Sequence, residues 1–286
     1  MILDGKKTSE YYINWVKSIV EEDKLNLSMV VILIGENPAS QVYVKYKLKA
    51  AKKAGIKTNL IKLNNSTSEE YLLNLIDRLN RSDYTGMIVQ LPLPDHINEN
   101  KVIEKISPKK DIDGFHPLNF GKMSLGQKAL RPATPYGICK LIQYYNIDTT
   151  GKHIVVIGRS NIVGKPISIM LGNEFKVGKG TITSCQIHTP KDLLKKQCLN
   201  ADIIIVAVGK ENILTEDMVK EGAIVIDVGI NRNKEGKLVG DVDFENVSKK
   251  CSMITPVPGG VGPMTIAGLI INTYIASKKE INYEIF

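Results

Sequence analysis

The chain has 286 residues, 43% hydrophobic and 24% charged, the proportions of an ordinary globular protein with two domains or one large one. Its 23 glycines and 12 prolines exclude collagen-like and low-complexity classes, and no apolar stretch is long enough to span a membrane. Charge is the exception: 38 Lys and Arg against 30 Asp and Glu give +8, which suits nucleic acid, a membrane surface or a small polyanion.

Short Val- and Ile-rich runs, each ending near a Gly or Pro, lie at residues 29–34, 87–91, 153–157, 203–208 and 223–228. They are continuous rather than alternating, as expected of parallel strands covered on both faces. Amphipathic patterns between them predict helices over about 40–54, over 192–199, and from Thr67 onward with Glu70 completing a capping box. The stretch 109–135 is rich in Gly and Pro and reads as loop, with a domain transition just after it in the helical pattern 136–145. A second Pro- and Gly-rich loop, 255–263, precedes a last apolar helix over 264–275. Strands alternating with helices predict an α/β fold with parallel sheets.

The four cysteines, Cys139, Cys185, Cys198 and Cys251, form no CxxC pair and the histidines are scattered, so no metal site is expected. A chain of this length without a disulfide framework or an N-terminal apolar leader is expected in a reducing, cytoplasmic compartment.

Several polar residues stand where chemistry is possible. Tyr43 and Lys47 are four apart and share a helical face, although with Lys45, Lys49, Lys52 and Lys53 beside them spacing alone favours a solvated basic face. Gln90 ends a predicted strand, where an amide can read a heterocycle edge or simply cap the strand. Asp111 and Asp113 lie in a loop, where turn chemistry competes with ligand binding. At 154–166 the sequence reads strand, glycine-rich turn, helix, a phosphate-binding arrangement, with Gly158 and Gly164 six apart. No acid ends the next strand at 181–185, and Arg159 follows the first glycine, so the turn favours NADP over NAD.

Together these blocks resemble the bifunctional methylenetetrahydrofolate dehydrogenase/cyclohydrolase family. The resemblance runs from 3–6 (LDGK) through 35–40 (GENPAS), 89–94 (VQLPLP), 110–117 (KDIDGFHP), 158–164 (GRSNIVG), 227–232 (DVGINR) and 256–265 (PVPGGVGPMT). It implies two α/β domains around a cleft: a folate-binding catalytic domain over 1–138, with the last helix (264–286) packing back on it, and a Rossmann-like NADP-binding domain over 139–263. It implies a homodimer, oxidation of 5,10-methylenetetrahydrofolate with NADP, hydrolysis of the methenyl product to 10-formyltetrahydrofolate, and a place in purine biosynthesis. By position it makes Lys47 the catalytic lysine and stacks Tyr43 on the folate. Gln90 and Asp113 hold the pterin and lysine, and Gly259, Gly260, Gly262 and Pro263 line the substrate cleft. Gly158, Arg159, Ser160 and Ile230 hold the cofactor.

One departure bears on the cofactor. Where many members carry Cys-His-Ser, this chain has Cys185, Gln186 and Ile187, and Ile187 cannot donate to a 2′-phosphate. Lys176 or Lys179, in a 172–180 stretch longer than usual, are candidates to replace that donor. The alternatives are a monofunctional or NAD-dependent member, another Rossmann dehydrogenase, or a binding protein without turnover. Nucleic acid is disfavoured because the lysines are dispersed and no motif accompanies them.

Overall fold

A computed structural model describes residues 1–173 and 177–278, which form two compact units. The first unit holds Glu10–Ala133 and the chain from Ile266; the second holds Met1–Ser9 and Thr134–Thr265.

Helix α1 (Gly5–Glu22) buries Tyr12, Ile13, Val16 and Val20 in the first unit. Strand β1 (Ser28–Ile34) follows, and all of it but Ser28 is buried. It is flanked in parallel by β2 (Lys57–Leu63) and β3 (Gly86–Val89), in the order β2-β1-β3. The crossovers are α2 (Pro38–Lys53) and α3 (Glu69–Asn80). Leu72, Leu75, Ile76 and Leu79 of α3 pack on Val30, Ile32, Met87 and Val89. Each such side chain contributes roughly 1.5–3 kcal/mol by leaving water. Helix α3 starts later than its sequence suggests, because Ser68 rather than Thr67 caps it and accepts from Tyr71 N at 3.2 Å.

The predicted strand 87–91 stops at Val89, and β2 is an edge strand that the apolar pattern did not reveal. After α4 (Glu99–Lys105), the supposed loop 109–135 contains a helix, α5 (Pro117–Ser124). Pro117 occupies its first turn, where a missing N–H costs nothing, and His116 Nδ1 accepts from Leu118 N at 3.0 Å.

The second unit opens with α6 (Ala133–Tyr144), whose residues from Thr134 belong to it. Its parallel five-stranded sheet contains β4 (His153–Ile157), β5 (Thr181–Cys185), β6 (Ile203–Val206), β7 (Ile224–Asp227) and, after a β8–β9 hairpin (Asn231–Arg232 with Leu238–Val239), β10 (Met253–Ile254). The strand order is β10-β7-β6-β4-β5. Chain direction across the sheet reverses at β4, which makes the carboxyl ends of β4 and β6 a topological switch point. Helices α7 (Gly164–Gly172), α8 (Lys191–Asn200) and α9 (Phe244–Lys250) follow β4, β5 and the hairpin. The final helix, α10 (Val261–Ala276), enters the first unit at Ile266. There Asn272 Nδ2 donates to Ile112 O at 2.8 Å and Arg131 O at 2.7 Å. Among the described residues no helix is long and apolar enough to cross a membrane, and no group of three His, Cys, Asp or Glu is placed to hold a metal.

Candidate active site

Helix α2 begins where Asn37 accepts from Ser40 N at 3.1 Å and Pro38 fills the first turn. Its inward face carries Val44, Lys47 and Ala51, while Lys45, Lys49, Lys52 and Lys53 are exposed. Lys47 is therefore the exception on a basic helix, only 7% exposed. Its Nζ lies 3.4 Å from Oδ1 of Asp113, which is also buried. Tyr43 is half-buried one turn earlier, and burial pushes its phenol above the usual range, so it stays a neutral donor.

Asp113 and its neighbour Asp111 have separate duties. Asp111 accepts from Gly114 N at 3.1 Å, His116 N at 2.8 Å and Asn119 Nδ2 at 3.2 Å. It organises the loop, as turn chemistry suggests, and burial pushes its carboxyl upward. Gln90 follows β3, and its backbone N–H donates to Ile32 O at 2.9 Å, which puts it at the carboxyl ends of β1 and β3. Its Nε2 donates to Leu91 O at 2.7 Å, and its Oε1 is buried without a partner. A buried orphan acceptor at a strand end is costly unless a ligand donor meets it.

The glycine-rich turn lies in the second unit. Gly158 has φ +116, a region L side chains avoid, and a Cβ there would stand 2.2 Å from Ala207 O. Ser160 is exposed, and its Oγ accepts from Val163 N at 3.2 Å and Gly164 N at 3.4 Å, which braces the turn leading into α7. Arg159 beside it is exposed. The turn thus places a bare backbone, a helix N-terminus and a free guanidinium at the switch point, which fits a dinucleotide phosphate. At the end of β5, Ile187 is 87% exposed. Lys179 is exposed, and Lys176 lies outside the described residues.

Ile230, 46% exposed, stands on the loop after β7. Gly259 has φ +109 and accepts from Lys6 N at 3.1 Å, while Gly260 is packed so that Gly5 could carry no Cβ. Gly262 and Pro263 fall in the first turn of α10. Tyr43, Lys47, Gln90 and Asp113 belong to the first unit; Gly158, Arg159, Ser160, Ile230 and Gly259–Pro263 residues belong to the second.

Two buried acids beside these loops were not singled out by the sequence. Asp227 and Asp241 are 2% and 0% exposed and hold the loops after β6 and β7. Their signal was a pair of glycines, Gly229 and Gly240, set beside the two acids.

Comparison with known proteins matches both units. Residues 3–113 match the catalytic domain of tetrahydrofolate dehydrogenase/cyclohydrolase, and residues 132–281 match its NAD(P)-binding domain. The chain is 58% identical over 284 residues to bifunctional protein FolD 1 of Geobacter metallireducens, covering 98% of each. The crystal structure of the bifunctional FolD enzyme from Campylobacter jejuni superposes with a TM-score of 0.91 at 49% identity, over 96% of this chain and 98% of that one. The Trypanosoma brucei FolD, complexed with NADP cofactor and inhibitor, gives 0.89 at 32% identity, covering 96% of each chain. With both domains matched in order over nearly its whole length, this chain belongs to the tetrahydrofolate dehydrogenase/cyclohydrolase family.

Proposed function

We propose that this protein oxidises 5,10-methylenetetrahydrofolate to the methenyl compound with NADP, and then hydrolyses that compound to 10-formyltetrahydrofolate. The observation that carries the reading is the buried Lys47–Asp113 pair, a proton-handling group on a chain whose family joins the two activities.

When bound, NADP supplies the hydride acceptor for the first step. Arg159 would hold the 2′-phosphate, and the bare backbone of the Gly158 turn would hold the pyrophosphate. Tyr43 stacks on the folate and presents a neutral hydroxyl. The orphan Oε1 of Gln90 accepts from the pterin edge. In the hydrolysis, water adds to the methenyl carbon and loses a proton; a carbon–nitrogen bond then breaks as the nitrogen takes one up, and the added hydroxyl gives up its own proton to become the formyl carbonyl. Lys47 manages the proton that passes from water to nitrogen, and Asp113 keeps the ammonium oriented and anchors the pterin.

NAD is the weaker cofactor, although the exposed, donorless Ile187 favours some use of it. The protein acts as a homodimer in the cytoplasm and contributes to purine biosynthesis. A spectrophotometric assay of methylenetetrahydrofolate with NADP and NAD side by side, followed by decay of methenyl absorbance, tests the whole reading. Reduction of NADP faster than NAD, with methenyl decay above the uncatalysed rate, is expected. No reduction of either cofactor would remove the proposal, and light scattering of the eluted protein at a monomer mass would remove the dimer.

A further inference from the structure

The loops at the carboxyl ends of β6 and β7 are tied together by two carboxylates from inside the protein. Asp241 Oδ2 accepts from Val208 N at 2.6 Å and Gly209 N at 3.0 Å. Its Oδ1 accepts from Lys210 N and Asn231 Nδ2, each at 2.9 Å. Asp227 Oδ1 accepts from Gly229 N at 2.9 Å and Asp241 N at 3.0 Å, and its Oδ2 from Val242 N at 3.0 Å.

The clasp is reciprocal. A Cβ on Gly229 would lie 2.1 Å from Asp241 Oδ1, and a Cβ on Gly240 would lie 1.8 Å from Asp227 Oδ2. Each acid is thus covered by the glycine next to the other. Neither carboxylate has a salt bridge among the described residues, so two like charges are buried side by side on hydrogen bonds alone. Such an arrangement costs stability relative to an apolar core.

The held segments explain why it is kept. Val208–Lys210 residues continue from Ala207, whose carbonyl packs against Gly158 of the phosphate turn. Gly229 and Asn231 flank Ile230 on both sides. We infer that Asp227 and Asp241 are positioning residues for the dinucleotide: they fix the loops that carry Ile230 and abut the Gly158 turn, in a pose that the cofactor then meets without paying to order them. This rests on the cofactor reading above; both acids are buried, 2% and 0% exposed, so they act through the loops they hold.

The test is fluorescence titration of NADPH, alongside hydrolysis of added methenyltetrahydrofolate, which needs no cofactor. Wild type must bind NADPH; if it does not, the function proposed above fails rather than this inference. In Asp241→Asn an amide replaces one acceptor oxygen, and NADPH should bind about tenfold or more weakly, as expected for lost bonds to a charged group. Hydrolysis should fall far less than binding. Equal NADPH affinity in variant and wild type, or parallel losses of binding and hydrolysis, overturns the inference. Should Asp241→Asn lack a melting transition, Asn231→Ala takes its place, since it leaves both carboxylates and their backbone bonds intact. It should weaken NADPH about threefold with hydrolysis unchanged, and unchanged binding there overturns the inference as well.

Discussion

A lysine 7% exposed, 3.4 Å from a buried carboxylate, is stable as a pair and costly as a single charge. Lys47→Met keeps the stem volume and removes the ammonium, leaving the buried Asp113 without its cation. We expect cyclohydrolase turnover to drop by about 10²–10⁴-fold, the usual worth of a positioned proton-transfer group, while NADPH binding is retained. Full hydrolysis in that variant would strip Lys47 of its role. The spacing of Tyr43 and Lys47 was legible because residues four apart on a helix share a face. Which lysine of the basic helix turned inward was not, since that depends on Asp113, 66 residues away. The same distance problem hid the clasp: Asp227 and Asp241 are 14 apart and declare themselves only when the strands converge. Asp111 shows the reverse, because its partners lie within eight residues and the turn reading sufficed.

Among the elements, the strands buried on both faces announced themselves, and β4 has the predicted bounds. Strand β2 did not, because as an edge strand its exposure alternates and its sequence, KTNLIKL, reads as polar. The pattern 203–208 overshot because Val208 N leaves the sheet to reach Asp241. Helix α5 was hidden by Pro117 and Gly121, residues that count against a helix unless the proline falls in the first turn. The turn joining β4 to α7 is where element geometry and function coincide. At Gly158 a methyl group meets Ala207 O at 2.2 Å in a backbone region with φ +116. Gly158→Ala should therefore cost about 1–3 kcal/mol in strain alone. It should also shift the loop after β6, raising the NADPH dissociation constant about tenfold or more as backbone bonds to phosphate are lost. Calorimetric melting and NADPH titration check the two effects. Unchanged affinity would show that the turn does not carry the cofactor.

For the whole molecule, the charge of +8 pointed to no particular partner, while the chain-long order of blocks pointed to one family. Charge does shape the response of the fold to pH. Glu69, Asp77, Asp202 and Asp217 are held below the ordinary carboxylate range by hydrogen bonds from Lys101, Lys105, Lys220 and Lys195. Their contribution is present above the unfolded value and fades as pH falls through the folded one. Asp227 runs the other way. Burial pushes it up to about 6 from an ordinary 3.8, against the backbone bonds from Asp241, Val242 and Gly229 that favour its charged form. The folded chain then binds a proton that the unfolded chain has released, so this group's contribution is complete below about pH 4 and lost as pH rises through about 6. At roughly 1.4 kcal/mol per pKa unit, the swing is on the order of 3 kcal/mol. Asp227→Asn removes the titration but keeps the shape, so the melting-temperature advantage of wild type over the variant should be larger near pH 4.5 than near pH 7.5. Calorimetry of both proteins across that range measures it. An advantage that stays constant, or grows with pH, would mean that Asp227 titrates like an ordinary carboxylate and that its clasp holds without cost at neutral pH.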